Sequence, residues 1–121
     1  MPEKNELFVI TKVKELTKYV FTVTEKSPKR FRYTMVSRLQ NYCLDITENL
    51  FLANKLPLGE ERLKKQEEAS RLLSLIAYLS FLASECNCLI KHQFVTISKL
   101  QAEALLYLGK WIASDKKRAN H

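Results

Sequence analysis

A chain of 121 residues with 46% hydrophobic and 27% charged side chains has the size and balance of one folded domain, neither disordered nor membrane-like. Its two glycines and three prolines are too few for the turns that a β-sandwich or barrel needs about every 8–12 residues, so the composition points to long helices with few connections. The net charge of +7 favours an acidic partner such as nucleic acid.

The chain starts Met1-Pro2-Glu3-Lys4-Asn5-Glu6, with no apolar signal core. The longest uncharged run, 72–84, is too short and too polar to span a bilayer. With no export signal, Cys43, Cys86 and Cys88 read as reduced thiols, and the expected address is the cytoplasm, with no membrane partner.

Ile10, Val13, Thr17, Val20 and Thr24 recur at helical spacing and predict a first helix over about 5–25. Leu7, Phe8 and Phe21 lie beside that stripe and exceed what a four-helix core needs, which suggests association. Ser27-Pro28 ends the helix, because proline lacks an N–H and restricts the residue before it. Two caps compete for the second helix: Ser27, with Pro28 in the first helical position, and Thr34. The later start is expected, giving a helix over 34–56 with Met35, Leu39, Tyr42, Ile46, Asn49 and Ala53 as its stripe.

Pro57-Leu58-Gly59 separates this from a third helix over 60–87, whose first turn carries Glu60 and Glu61 against the positive end of the helix dipole. Leu72, Ile76, Leu79, Ala83 and Cys86 continue one stripe, so Cys86 is expected to be buried, and Asn87 is a left-handed stop. A fourth helix over 92–115 carries Phe94, Ile97, Leu100, Ala104, Leu108 and Trp111 inward, with Trp111 in the core. Gly109 inside it costs roughly 1 kcal/mol relative to alanine, and close approach of a neighbouring backbone is the expected return. A basic tail over 116–121 is expected to fray. The whole reads as a single all-α domain, 1–121, an antiparallel up-down-up-down four-helix bundle.

Charge is concentrated in two stretches: residues 26–39 hold five cations and no acid, and residues 91–121 carry a net +4. In up-down-up-down order the 26–39 stretch shares an end with Lys91, while Lys116, Lys117 and Arg118 mark the other. The candidate nucleic-acid contacts are Lys29, Arg30, Arg32, Tyr33, Arg38, Lys91, Lys116, Lys117 and Arg118: cations for phosphates, with Tyr33 able to stack on an unpaired base. The competing reading is a solvated connection whose Phe31 plugs the bundle end, with Arg38 pairing an acid at a subunit interface.

Cys86, Cys88 and His92 fall short of the four ligands and paired spacing that zinc requires, and no oxyanion donor accompanies them as a Cys–His nucleophile. Glu60-Glu61 and Glu67-Glu68 read as a solvated first turn and face, and there is no glycine-rich phosphate loop. No catalytic residue, metal or cofactor is expected.

The stretch 30–41, opening Arg30-Phe31-Arg32-Tyr33, together with Gln93-Phe94, Ile97-Ser98-Lys99-Leu100 and Leu108-Gly109-Lys110-Trp111-Ile112, resembles a family of small four-helix bundle proteins. That family includes the accessory variability determinants of diversity-generating retroelements and relatives encoded in intervening sequences of bacterial 23S ribosomal RNA genes. The resemblance implies a homopentameric barrel of bundles with a basic surface that associates with a reverse transcriptase and with template RNA or cDNA. The alternative within the same family is a structural or protein-interaction bundle of the intervening-sequence type with no nucleic-acid role. Lys110 stands where the family signature more often has a second glycine before Trp-Ile, and Cys88-Leu89-Ile90-Lys91-His92 lacks the family's common serine cap.

Overall fold

The apolar stripes become the buried faces of helices, except that the first helix is rotated from the expected face: Val9, Leu16 and Val23 beside its stripe are buried, and Ile10 is 41% exposed. In the computed structural model, which describes residues 4–120, the elements are α1 (Lys4–Thr24), a 3-10 turn (Lys29–Phe31), a π-helical turn (Arg32–Val36), α2 (Ser37–Lys55), α3 (Glu60–Glu85) and α4 (Lys91–Ala119), with no strand among them. Val9, Val13, Leu16 and Val20 of α1 meet Leu39, Ile46 and Leu50 of α2, Leu73 and Ile76 of α3, and Ile97, Leu108 and Trp111 of α4 in one core. Burying each large aliphatic side chain contributes about 1.5–3 kcal/mol, which is what holds a β-branched, weakly helical segment such as α1 in place. Met1, Pro2, Glu3 and His121, which the sequence places in an unsignalled start and a frayed end, lie outside the described residues.

Every helix packs on two others: α1 on α2 and α4, α3 on α2 and α4. Side chains mark the pairings. The Phe8 and Tyr107 rings lie 5.0 Å apart and Lys12 Nζ is 2.7 Å from Glu103, joining α1 to α4. Gln40 Nε2 donates to Thr24 Oγ1 at 3.1 Å between α1 and α2. Gln101 Nε2 donates to the Leu73 carbonyl at 3.1 Å, and Phe81 meets Phe94 edge-on at 5.9 Å, between α3 and α4.

The connections correct the sequence reading in several places. Helical backbone resumes at Lys29, directly after Pro28, and not at Thr34. Pro28 supplies the φ of −55° that starts the turn, while the Ser27 hydroxyl is used elsewhere, donating to the Cys88 carbonyl at 2.8 Å. Thr34 Oγ1 faces back to the Phe31 carbonyl, inside a helical turn and not ahead of one.

At the other side of that Ser27 contact, α3 ends at Glu85 and Asn87 takes φ 64°, the left-handed conformation that asparagine tolerates. The Cys88 and Leu89 amides then donate to the Ala83 carbonyl at 2.8 and 3.2 Å. That reversal turns Cys88 inward, 2% exposed, and leaves Cys86 on the surface, the opposite of the expected burial.

Two expectations for the last helix also fail. Gly109 is exposed and a Cβ built on it meets nothing within 4 Å, so among the described residues no neighbouring backbone approaches it. The helix also continues through Lys116, Lys117 and Arg118 to Ala119, because cations in a last turn are stabilised by the helix dipole and the turn before them is anchored. Its start lacks a serine cap, but the Ile90 amide donates to Gln93 Oε1 at 3.1 Å, so a side chain from inside the helix supplies an acceptor.

The anchor is Asp115. Arg62 Nε and Nη2 donate to its two oxygens at 2.7 and 3.2 Å, and Gln66 Nε2 donates at 2.9 Å. Arg62 also donates to the Leu56 carbonyl at 3.3 Å and lies 5.1 Å from the Trp111 ring centroid. Both members of the pair are nearly buried, so removing one leaves an uncompensated charge, at a cost of about 3–5 kcal/mol. Asp115→Ala should therefore lower the unfolding free energy by about that amount in a urea titration followed by circular dichroism. The double change Arg62→Met with Asp115→Leu should recover most of it; an Asp115→Ala loss under about 1 kcal/mol would contradict the clamp.

Candidate interaction surfaces

The α1–α2 connection and the start of α4 share one end of the molecule, tied by Ser27 and Cys88. Lys29, Arg30, Arg32, Tyr33, Arg38 and Lys91 are all exposed at that end. Phe31 is the exception in the run, half-buried against the core, with the Arg30 guanidinium 4.6 Å from its ring centroid. The π-helical turn accommodates one more residue than an α turn, and Tyr33 within it stands 86% exposed. Among the described residues, no carboxylate lies within ion-pair distance of Lys29, Arg30, Arg32, Arg38 or Lys91. Arg38 Nη1 donates to the Tyr42 hydroxyl at 3.5 Å.

Lys116, Lys117 and Arg118 are exposed at the opposite end, where Arg118 lies 3.5 Å from Asp115. At 1.5 Å per residue along α4, Lys91 and Arg118 are about 40 Å apart. The nine candidate residues thus form two separate groups, and one short ligand cannot touch both.

A second surface went unnoticed in the sequence. Between α1 and α2 runs an apolar groove of about 400 Å³, lined chiefly by Ile10, Val13, Leu44, Thr47, Leu50 and Phe51, with Lys14 and Lys18 on one wall. Phe51 is 60% exposed and Leu44 50%, where a surface helix would normally be polar. The signal was present: Leu44 and Phe51 sit seven residues apart, off the stripe that feeds the core. Leu7 and Phe8, which the sequence did single out, are exposed nearby on α1, whereas Phe21 is half-buried. On the other side of the molecule, Tyr78 and Phe81 of α3 and Val95 and Leu106 of α4 are exposed apolar side chains.

Among the described residues no three metal-ligating side chains come together. Cys86 and His92 are exposed, Cys88 is buried, and Cys43 lies in the core. Burial pushes the Cys43 thiol up to about 12, against a smaller opposing effect of the Thr17 hydroxyl. Burial also raises Cys88, opposed by Ser27 and by the Arg30 guanidinium.

No protein-family model and no curated protein sequence matches the chain. The fold is similar to that of a crystal structure from Bacteroides thetaiotaomicron, a protein of unknown function from the S23 ribosomal protein family. The TM-score is 0.82 at 14% sequence identity, over 90% of this chain and 98% of that one. At this identity the likeness carries the fold, an all-helical domain of four long helices. Among the described residues, no helix is long and apolar enough to cross a membrane.

The inversion of Cys86 and Cys88 has a direct readout. In the native protein Cys86 should react quickly with a thiol reagent, while Cys43 and Cys88 react only after denaturation. Two fast thiols in the native state would contradict the inward turn at Asn87.

Proposed function

We propose that this protein is a non-catalytic interaction bundle, an antiparallel up-down-up-down domain that acts as a homo-oligomer, of the type encoded in 23S ribosomal RNA intervening sequences. The observation that carries the reading is the apolar groove between α1 and α2, with Ile10, Leu44 and Phe51 open to solvent. A monomer gains nothing from that exposure, and desolvating the groove favours association. Tyr78 and Phe81 of α3 and Val95 and Leu106 of α4 are exposed as well, and a contact between them and the groove would be head-to-tail. Head-to-tail contacts close into rings when the rotation allows, which accords with the homopentameric barrel that the family resemblance implies. The structural neighbour, from the S23 ribosomal protein family, supports the same bundle type.

A second reading has its own support. The exposed cations of 29–38 and Lys91, without carboxylate partners among the described residues, suit an accessory protein of a diversity-generating retroelement that binds template RNA or cDNA and a reverse transcriptase. Such contacts would act as phosphate clamps, with affinity falling steeply as salt rises.

Analytical ultracentrifugation tests the first reading. The wild-type protein should sediment as an oligomer, and Leu44→Glu with Phe51→Glu should give a folded monomer of unchanged helical content. A wild-type monomer at high concentration would overturn it. For the second reading, Lys29→Gln, Arg30→Gln and Arg32→Gln together should weaken RNA binding across sequences. The slope of log affinity against log salt should fall by roughly 0.7–0.9 per lost phosphate contact. Undiminished binding by this triple variant would remove these residues from the interface.

A further inference from the structure

We propose that the hollow beside the π-helical turn seats one unpaired nucleobase, so that the basic end of the bundle reads single-stranded rather than duplex nucleic acid. The proposal rests on the second reading above and adds a site to it. The hollow has a volume of about 430 Å³, within the range of small-ligand sites, and is lined by Tyr33, Met35, Ser37, Arg38, Asn41 and Leu79 among others. Its chemistry is graded. Met35 from the turn and Leu79 from α3, both half-buried against the core, make an apolar floor. Tyr33, 86% exposed, gives a free aromatic face at the rim.

The polar side of the hollow suits the edge of a base. Asn41 Nδ2 donates to Ser37 Oγ at 3.3 Å, which orients the amide and leaves its carbonyl oxygen to accept. Among the described residues, the exposed Arg38 donates to the Tyr42 hydroxyl at 3.5 Å through Nη1, which leaves its other guanidinium donors for a ligand. A carboxylate-free lining with an aromatic face, an apolar floor and both a donor and an acceptor fits a planar, hydrogen-bonding, π-faced ligand. On the other flank of the same turn, Lys29 and Arg32 line a second hollow of about 460 Å³, together with Thr24, Ser27 and one carboxylate, Glu25. Cations there are placed to meet the backbone phosphate of a nucleotide whose base lies on the Tyr33 side. A stacked, paired base cannot enter the Tyr33 hollow, and that is the source of the preference for single strands.

The test is fluorescence anisotropy at low salt with short oligouridylate, short oligodeoxythymidylate and a duplex of equal length. Wild type should bind the single strands more tightly than the duplex, with the two single-strand arms telling whether a 2′-hydroxyl contributes. Tyr33→Ala should weaken single-strand binding about 5- to 100-fold with the salt slope unchanged, and Tyr33→Phe should restore most of it. Because Tyr33 is exposed, neither change should alter the helical content. A bromouridine-substituted strand should photocrosslink to Tyr33.

If the Lys29, Arg30 and Arg32 variant loses binding while Tyr33→Ala binds like wild type, the nucleic-acid reading stands and the base site is overturned. If no strand binds wild type at low salt, the nucleic-acid reading itself falls and takes the base site with it, leaving Tyr33 and Arg38 as contacts for a protein.

Discussion

The register of this bundle depends on one buried ion pair. Apolar stripes fix which face of a helix turns inward, but they repeat every three or four residues and tolerate a slide by a turn or two. Asp115 does not. It receives two hydrogen bonds from Arg62 and one from Gln66, and Arg62 in turn holds the last carbonyl before the Pro57 turn. A displacement of α4 by one turn would strand both charges in a nearly dry site. The pair therefore sets α4 against α3 and the end of α2, and with it the direction in which Val95, Leu106 and Gly109 look, toward the surface where all three are exposed.

At the opposite end the corresponding constraint is a single hydroxyl. Ser27 bonds the Cys88 carbonyl, so the only two connections at that end are joined to each other. The basic turn of 29–36 is thus held on a fixed base, and the exposure of Tyr33 follows from backbone geometry and not from a loose loop. A π-helical turn exists at the cost of poorer local hydrogen bonding, and such turns are found frequently at functional sites.

Four helices and most of their inward faces were legible in the sequence, because burial imposes a 3.6-residue period on each; the face of α1 was read one position off, with Ile10 inward where Val9 and Leu16 are buried. What was not legible had long-range causes. Ser27 and Thr34 both suit a helix cap and the later start was the expected one, but neither caps this turn: the Ser27 hydroxyl is taken by a carbonyl sixty-one residues away, and helical backbone resumes at Lys29 behind Pro28. The period extrapolated past Glu85 puts Cys86 in line with Ile76 and Ala83, but a single left-handed residue, Asn87, resets the phase and delivers Cys88 instead. Gly109 suggested a close approach that this chain does not make. The exposure of the 29–38 cations and Lys91 at one end and of Lys116, Lys117 and Arg118 at the other was legible because charge runs are local, whereas the α1–α2 groove was not, since it arises only when Ile10 of one helix and Phe51 of another are set side by side.

The two surfaces are compatible because they occupy different parts of a rod. Lateral association through the groove and the α3–α4 side uses the flanks of the bundle and leaves its ends open. A ring closed in that way would repeat the 29–38 cations and Tyr33 once per subunit around one rim, and Lys116 and Lys117 around the other. Each copy alone is a small, shallow contact of the kind that binds weakly at physiological salt. Repeated on a rigid rim, such contacts gain by effective concentration, roughly 10²–10⁴-fold when a strand can reach neighbouring copies. On the two proposed readings together, oligomer formation and nucleic-acid binding would become one property: the apolar groove would supply valency, and the basic end the chemistry that valency multiplies.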